Sequence, residues 1–212
     1  MNEKVYMHSI NSKDYNYFNS REEIKILGKI LSCGYILSLR GQGKLFLPCG
    51  FNGYDYISLC DYEKRNLHPE GRYTYNSYYS YIKYGIALAF NKDNIDAIEP
   101  IVLNVISDVR ENNKRINDLS NGIIRYTDLP DEVQVKDSIS LEKLEYITYP
   151  VRKYFDNQIL FNNNKKIKRL KNEIDEIRSL LDYYNFNNIP IYDIDSQIEL
   201  NDEGIEKLVL RK

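Results

Sequence analysis

The sequence predicts an α+β protein: mainly antiparallel sheets in the first part of the chain and a helical appendage at the C-terminus. Three observations carry this. Alternating apolar and polar residues recur at Lys4–His8, Tyr56–Cys60 and Glu132–Val135, the period-two signature of half-buried strands. After Ser20, residues Ile24, Leu27, Ile30 and Leu31 share one face of an amphipathic helix. Beyond Pro150, residues Ile167, Leu170, Ile174, Ile177, Leu181 and Tyr184 recur at three- and four-residue steps and form a narrow helical seam. The chain therefore divides into a core, 1–155, and a C-terminal helix with an extended tail, 156–212.

In order, Lys4–His8 is the first strand, with His8 and Ser9 at its end. A polar loop runs to Asn19. Ser20-Arg21-Glu22-Glu23 reads as a capping box, Ser20 accepting from the backbone and Glu23 reaching back. Gly34 stops the helix. Tyr35–Arg40 leaves it extended, and Gly41-Gln42-Gly43 breaks that segment. Asn52-Gly53 is a turn signal before a strand over Tyr54–Cys60. Asp61–Gly71 reads as a charged surface loop, and the tyrosine-rich stretch that follows as a helix. Tyr84–Phe90 is a continuous apolar run, expected to be a buried strand. Asn94–Ile98 reads as one helical turn before Pro100. Ile101–Arg110 suits strand or helix, and Asn112–Asn121 a polar connection. Glu132 opens a late strand, and a second apolar-patterned run ends at Pro150. The seam helix stops near Asn185, and Ile191–Asp195 is the extended tail.

Composition narrows the function. With 212 residues, 42% of them hydrophobic, a real core can form. A net charge of -2 argues against a generic nucleic-acid binder. No apolar run reaches ~18 residues, so no membrane span is expected. The first residues do not read as a signal peptide, which predicts a cytoplasmic protein. Cys33, Cys49 and Cys60 are odd in number and widely spaced, as reduced thiols are. Two histidines and no CxxC leave no metal site to expect. Tyrosine is abundant, 20 residues without one tryptophan. The local cluster from Tyr73 to Tyr81 offers flat faces for stacking on a ring, or for packing on the core.

Several chemistries lack their residues. There is no GxGxxG motif after a strand and no P-loop, and no nucleophile elbow for a serine hydrolase. What remains is dispersed: His8-Ser9, Arg40, Ser58, the tyrosine cluster and Glu132. Their order resembles the ADP-ribosyltransferase superfamily, in its toxin-like or nucleic-acid-modifying branch. The resemblance runs over residues 4 to 150. It rests on the histidine that ends the first strand, on Lys29-Ile30-Leu31-Ser32-Cys33-Gly34-Tyr35-Ile36, on Tyr56-Ile57-Ser58-Leu59, and on Glu132-Val133-Gln134-Val135 followed by Ile139-Ser140-Leu141-Glu142-Lys143-Leu144.

The resemblance implies split, mainly antiparallel sheets around a cleft for NAD, which is consumed as a substrate. It implies that Glu132 stabilises the oxocarbenium-like state in which the nicotinamide–ribose bond breaks. His8 would hold the ribose or the nicotinamide end, with Ser9 or Ser58 nearby. Arg40 would pair with the pyrophosphate, and a tyrosine of the cluster, Tyr78 or Tyr81, would stack on nicotinamide. The acceptor is a macromolecule, protein or nucleic acid. Family members that modify proteins often carry Glu or Gln two residues before the catalytic glutamate; here that position is Pro130, and Gln134 lies two residues after. The alternative to an enzyme is a nucleotide-binding or phage–host interaction protein on the same fold. RNA 2′-phosphotransfer shares the fold but leans on more basic residues than Arg40. The seam helix, 165–184, could dock on the core or join two chains as a homodimer.

Overall fold

The computed structural model describes residues 1–10, 20–38, 41–43, 56–66, 79–98, 131–151 and 164–210. Within them the chain forms β1 (Val5–Ser9), α1 (Ser20–Cys33), β2 (Tyr35–Leu37), β3 (Tyr56–Asp61), α2 (Tyr79–Lys83), β4 (Ala87–Asn91), β5 (Glu132–Lys136), β6 (Ser138–Ser140), β7 (Leu144–Tyr149), α3 (Asn164–Tyr183), β8 (Ile191–Asp193) and α4 (Asp202–Leu210). Six strands make one sheet in the order β5-β3-β1-β4-β7-β8, and β2 pairs with β6 in a separate ribbon. Every pairing is antiparallel except β7 with β8. The α+β class and the mainly antiparallel sheet are therefore as the sequence predicts.

Strand alternation gives the sheet two apolar faces. Leu59, Leu88, Phe90 and Ile147 project to one face, where Leu27 and Leu31 of α1 and Ile174 and Ile177 of α3 cover them. Met7, Cys60, Ala89 and Tyr146 project to the other, with Tyr62, Ile82 and Ile194. β4 is covered on both sides, and Ala87 to Phe90 are all 0% exposed. This is why its sequence is an unbroken apolar run rather than an alternation. The seam of α3 is spent on the same core: Leu170, Ile174, Ile177 and Leu181 are buried.

α1 starts at Ser20 and stops at Gly34 as expected. Gly34 has φ 74° and its N–H reaches the carbonyl of Ile30 at 3.0 Å, a C-terminal geometry that a side chain would strain. The capping box does not form as read. Ser20 Oγ donates instead to Glu173 Oε1 of α3, 2.8 Å, and Glu23 Oε2 accepts from the backbone N–H of Ile86, 2.7 Å. Both side chains are buried, and tertiary partners take the bonds that a solvent-exposed helix end would keep for itself.

Three other readings change. Tyr62–Asn66 is a 3₁₀ helix, not a loop, and residues 67–71 lie outside the described set. Lys92–Asn94 forms a 3₁₀ turn, and Ile98 then runs extended to bridge Gln134 with paired bonds of 2.8 and 2.9 Å. The strand edge of β5 offers unpaired backbone groups there, and satisfying them outweighs a lone helical turn. The tail is more ordered than a plain extension: Ile191–Asp193 joins the main sheet as β8, and α4 follows. The apolar stretch expected over Ile101–Arg110 and the polar connection over Asn112–Asn121 lie outside the described residues.

Candidate functional site

The ladder between β1 and β3 is short. It pairs Tyr6 with Asp61 and Met7 with Cys60, whereas β1 continues along β4 as far as Ser9 opposite Ala87. From His8 onward the two strands therefore part, and the sheet opens on that side. His8 fills the opening with its ring: its Nδ1–H donates to the carbonyl oxygen of Ser58, 3.1 Å away. That acceptor fixes the tautomer, because a carbonyl only accepts, so Nε2 of neutral His8 is left as an acceptor. Burial holds the imidazole pKa below its ordinary value, and the Ser58 carbonyl opposes this only in part.

Ser58 faces a second partner. β3 and β5 are paired in register, Ser58 opposite Gln134 and Cys60 opposite Glu132, so the Ser58 hydroxyl, Glu132 and Gln134 share the sheet face of Cys60. The Ser58 hydroxyl hydrogen-bonds the Glu132 carboxylate, and Gln134 Nε2 approaches Glu132 Oε1 at 3.5 Å. Burial pushes the Glu132 carboxyl up. The bonds from Ser58 and Gln134 hold it down, and the neighbouring Asp131 charge adds to the rise. One serine thus touches both candidate groups, His8 through its main chain and Glu132 through its side chain. Strand alternation nevertheless puts His8, which pairs with Leu88, on the opposite face from Glu132.

A cleft with a volume of about 650 Å³ lies between the ribbon and the main sheet, a size typical of small-molecule sites. Its floor is His8, Ser9, Ile57 and Ser58; α1 supplies Ile26, Lys29, Ile30 and Cys33; Tyr35, Ser38 and Gln42 close the ribbon side. This donor set suits a polar, ring-bearing ligand: hydroxyls and an amide for sugar oxygens, Tyr35 and Tyr56 for a planar ring, and one cation, Lys29, among the described lining residues.

Of the residues singled out in the sequence, His8, Ser9 and Ser58 line this cleft, and Glu132 is joined to it through Ser58 without lining it. Arg40 and Tyr78 lie outside the described residues, while Tyr81 falls within α2. The α1 wall was not anticipated, because its apolar residues read as core only; the signal was Lys29 and Cys33, a polar pair one turn apart on the rim of that face. Gln134 was visible as the residue two after Glu132, which alternation must place on the same face. Among the described residues no group of His, Cys, Asp and Glu could hold a metal ion, and no helix is long and apolar enough to cross a membrane. Compared with protein-family models, curated proteins and solved structures, the chain matches none of them.

Proposed function

We propose that this chain is an NAD-dependent ADP-ribosyltransferase that transfers ADP-ribose to a macromolecular acceptor and releases nicotinamide. One observation carries the reading: Ser58 joins His8 and Glu132, residues far apart in sequence, across the adjacent strands β1, β3 and β5. In the proposed reaction the bond between the ribose C1′ and the nicotinamide nitrogen breaks, and its electron pair leaves with nicotinamide. The Glu132 carboxylate stabilises the developing oxocarbenium charge. The acceptor nucleophile then bonds to C1′ and passes its proton to Glu132. Nε2 of His8, on the sheet face opposite Glu132, accepts from a donor of the part of NAD that lies in the cleft, and the cleft wall of α1 excludes water there. The test is nicotinamide release from labelled NAD in the presence of mixed protein, DNA and RNA. Glu132→Gln should lower turnover at least ~100-fold with the fold intact, and an unchanged rate in that variant refutes the assignment.

The position of Glu132 outside the cleft lining favours a second reading, a nucleotide-binding protein without turnover. Saturable NAD binding at the cleft with no nicotinamide released selects it over the enzyme.

A further inference from the structure

Glu132 stands at a mechanically weak place. It is the first residue of β5, and β5 is an edge of the six-stranded sheet. The end of an edge strand frays readily, whereas a group that stabilises a transient charge must be held to within about 0.5 Å. Ile98 braces the outer edge of β5 at Gln134, two residues further on. At Glu132 itself the bracing comes from the residue before it.

Asp131 is 0% exposed and makes contacts through both its main chain and its side chain. Its carbonyl oxygen accepts from the Asp61 N–H at 2.6 Å, which carries the β3–β5 pairing one residue past Cys60 and Glu132. Its Oδ2 accepts from the Tyr79 N–H, 2.8 Å, and from the Cys60 thiol, 3.8 Å. Tyr79 is the first residue of α2, so its N–H has no acceptor within its own helix. A third element is thereby tied to the start of β5. Asp131 lies before the strand, so alternation does not turn its carboxylate away from that of Glu132. It reaches Cys60, which is opposite Glu132 in register, and both acids lie on the Cys60 face.

The other groups on this face carry little charge. Ser58 and Gln134 are neutral and hydrogen-bond Glu132. Burial, with the charges of Asp131 and Asp61, pushes the Cys60 thiol up, and burial raises the Tyr79 hydroxyl. Arg65, the nearest cation to Cys60 and Tyr79 among the described residues, pairs with Glu3. Burial is the larger cause of the raised Glu132 carboxyl, and the Asp131 charge adds to it.

We infer that Asp131 is a positioning residue for the reaction proposed above: it bolts the start of β5, and with it Glu132, to the end of β3 and to the first turn of α2. The inference rests on the transferase reading for the reaction that Glu132 serves. The hydrogen bonds do the positioning, so an amide in place of the carboxylate preserves it.

The test compares D131A, D131N and D131E in the full chain, with folding checked by circular dichroism and nicotinamide release measured per folded molecule. Asn keeps an oxygen for the Tyr79 N–H, Ala keeps none, and Glu carries its oxygens one methylene further out. D131A and D131E should lose at least ~10-fold in kcat with KM for NAD within about 3-fold of the parent, because the reacting group shifts while the cleft at His8 does not. D131N should recover kcat to within about 3-fold. The Glu132 carboxyl, followed by NMR, should titrate at lower pH in D131N than in the parent, since a like charge has gone. A capping role alone would lower the melting temperature and leave kcat per folded molecule unchanged. Parent-like kcat in D131A, or in D131E where D131A does not fold, overturns the positioning role and leaves the transferase standing. No nicotinamide release by the parent removes the transferase instead. The titration needs no turnover and then decides whether Asp131 governs Glu132: a lowered midpoint in D131N upholds it, and an unmoved one overturns it.

Discussion

His8 donates to the carbonyl of Ser58 at the point where β1 and β3 stop pairing. A ladder bond has been exchanged for a side-chain bond, and the ring that makes it borders the cleft. If that ring binds NAD in the cleft, His8→Ala should raise KM for NAD by about 10-fold or more and lower kcat less, because the interaction exists before the bond breaks. Steady-state nicotinamide release checks this; loss of kcat alone at constant KM contradicts it.

Acid should inhibit the reaction within a defined window. His8 must be neutral, and burial keeps its pKa below 6.5; Glu132 must be ionised, and burial raises its pKa above 4.5. Both requirements fail as pH falls, so kcat/KM should drop on the acid side, with its acid limb above pH 4.5. A pH–rate profile that stays flat down to pH 4.5 contradicts the need for an ionised Glu132.

Glu132 should cost stability at neutral pH. Its folded pKa is raised, so the folded state binds the proton more tightly than the unfolded chain and stability falls as pH rises from 4.5 through the folded value. Glu132→Gln removes that loss. Its Tm should exceed that of the parent at neutral pH and converge on it toward pH 4.5, as thermal unfolding at several pH values will show. A difference that grows in acid has the wrong sign.

Glu173 ties three elements together. It accepts from Ser20 of α1 and from the hydroxyl of Tyr149 in β7, and pairs with Arg169 one turn earlier in α3. Replacing it with Leu strands the buried hydroxyls, and we expect a loss of about 1–3 kcal/mol in denaturant unfolding. A double-mutant cycle with Ser20→Ala should show coupling between α1 and α3; additive losses would mean that the two helices do not communicate through this carboxylate.

Cys33 lies exposed on the cleft wall, whereas Cys60 is buried. Burial also pushes the Cys60 thiol well above its ordinary pKa, which slows its alkylation further. NAD should therefore protect Cys33 from iodoacetamide, with Cys60 unreactive in both states, as peptide mass mapping will report. Equal labelling of Cys33 with and without NAD would place the ligand elsewhere.

Much of the fold could be read from periodicity, and the exceptions have physical causes. The α3 seam was legible because its buried residues, Leu170, Ile174, Ile177 and Leu181, repeat at three- and four-residue steps. α4 was not, although its signals are present: Asn201 Oδ1 accepts from the Gly204 N–H at 2.8 Å, and Asp202 and Glu203 fill the first turn. Gly204 hid it, since glycine is a poor helix former. It is there because a Cβ would stand 1.8 Å from the carbonyl oxygen of Glu199. At the site, the strands bearing His8, Ser58 and Glu132 were legible, but their faces were not. Facing depends on register, and register is set by partners distant in sequence.

The strand order carries a consequence for how the protein is made. Read outward from β1, the sheet meets β3 and β4, then β5 and β7, and last β8. Each ring of neighbours comes from later in the chain than the one before. During synthesis every new strand can therefore dock on an edge that already exists, and none must be inserted between strands already paired. The sheet can grow from its centre as the ribosome delivers it, with β8 added last, beside β7.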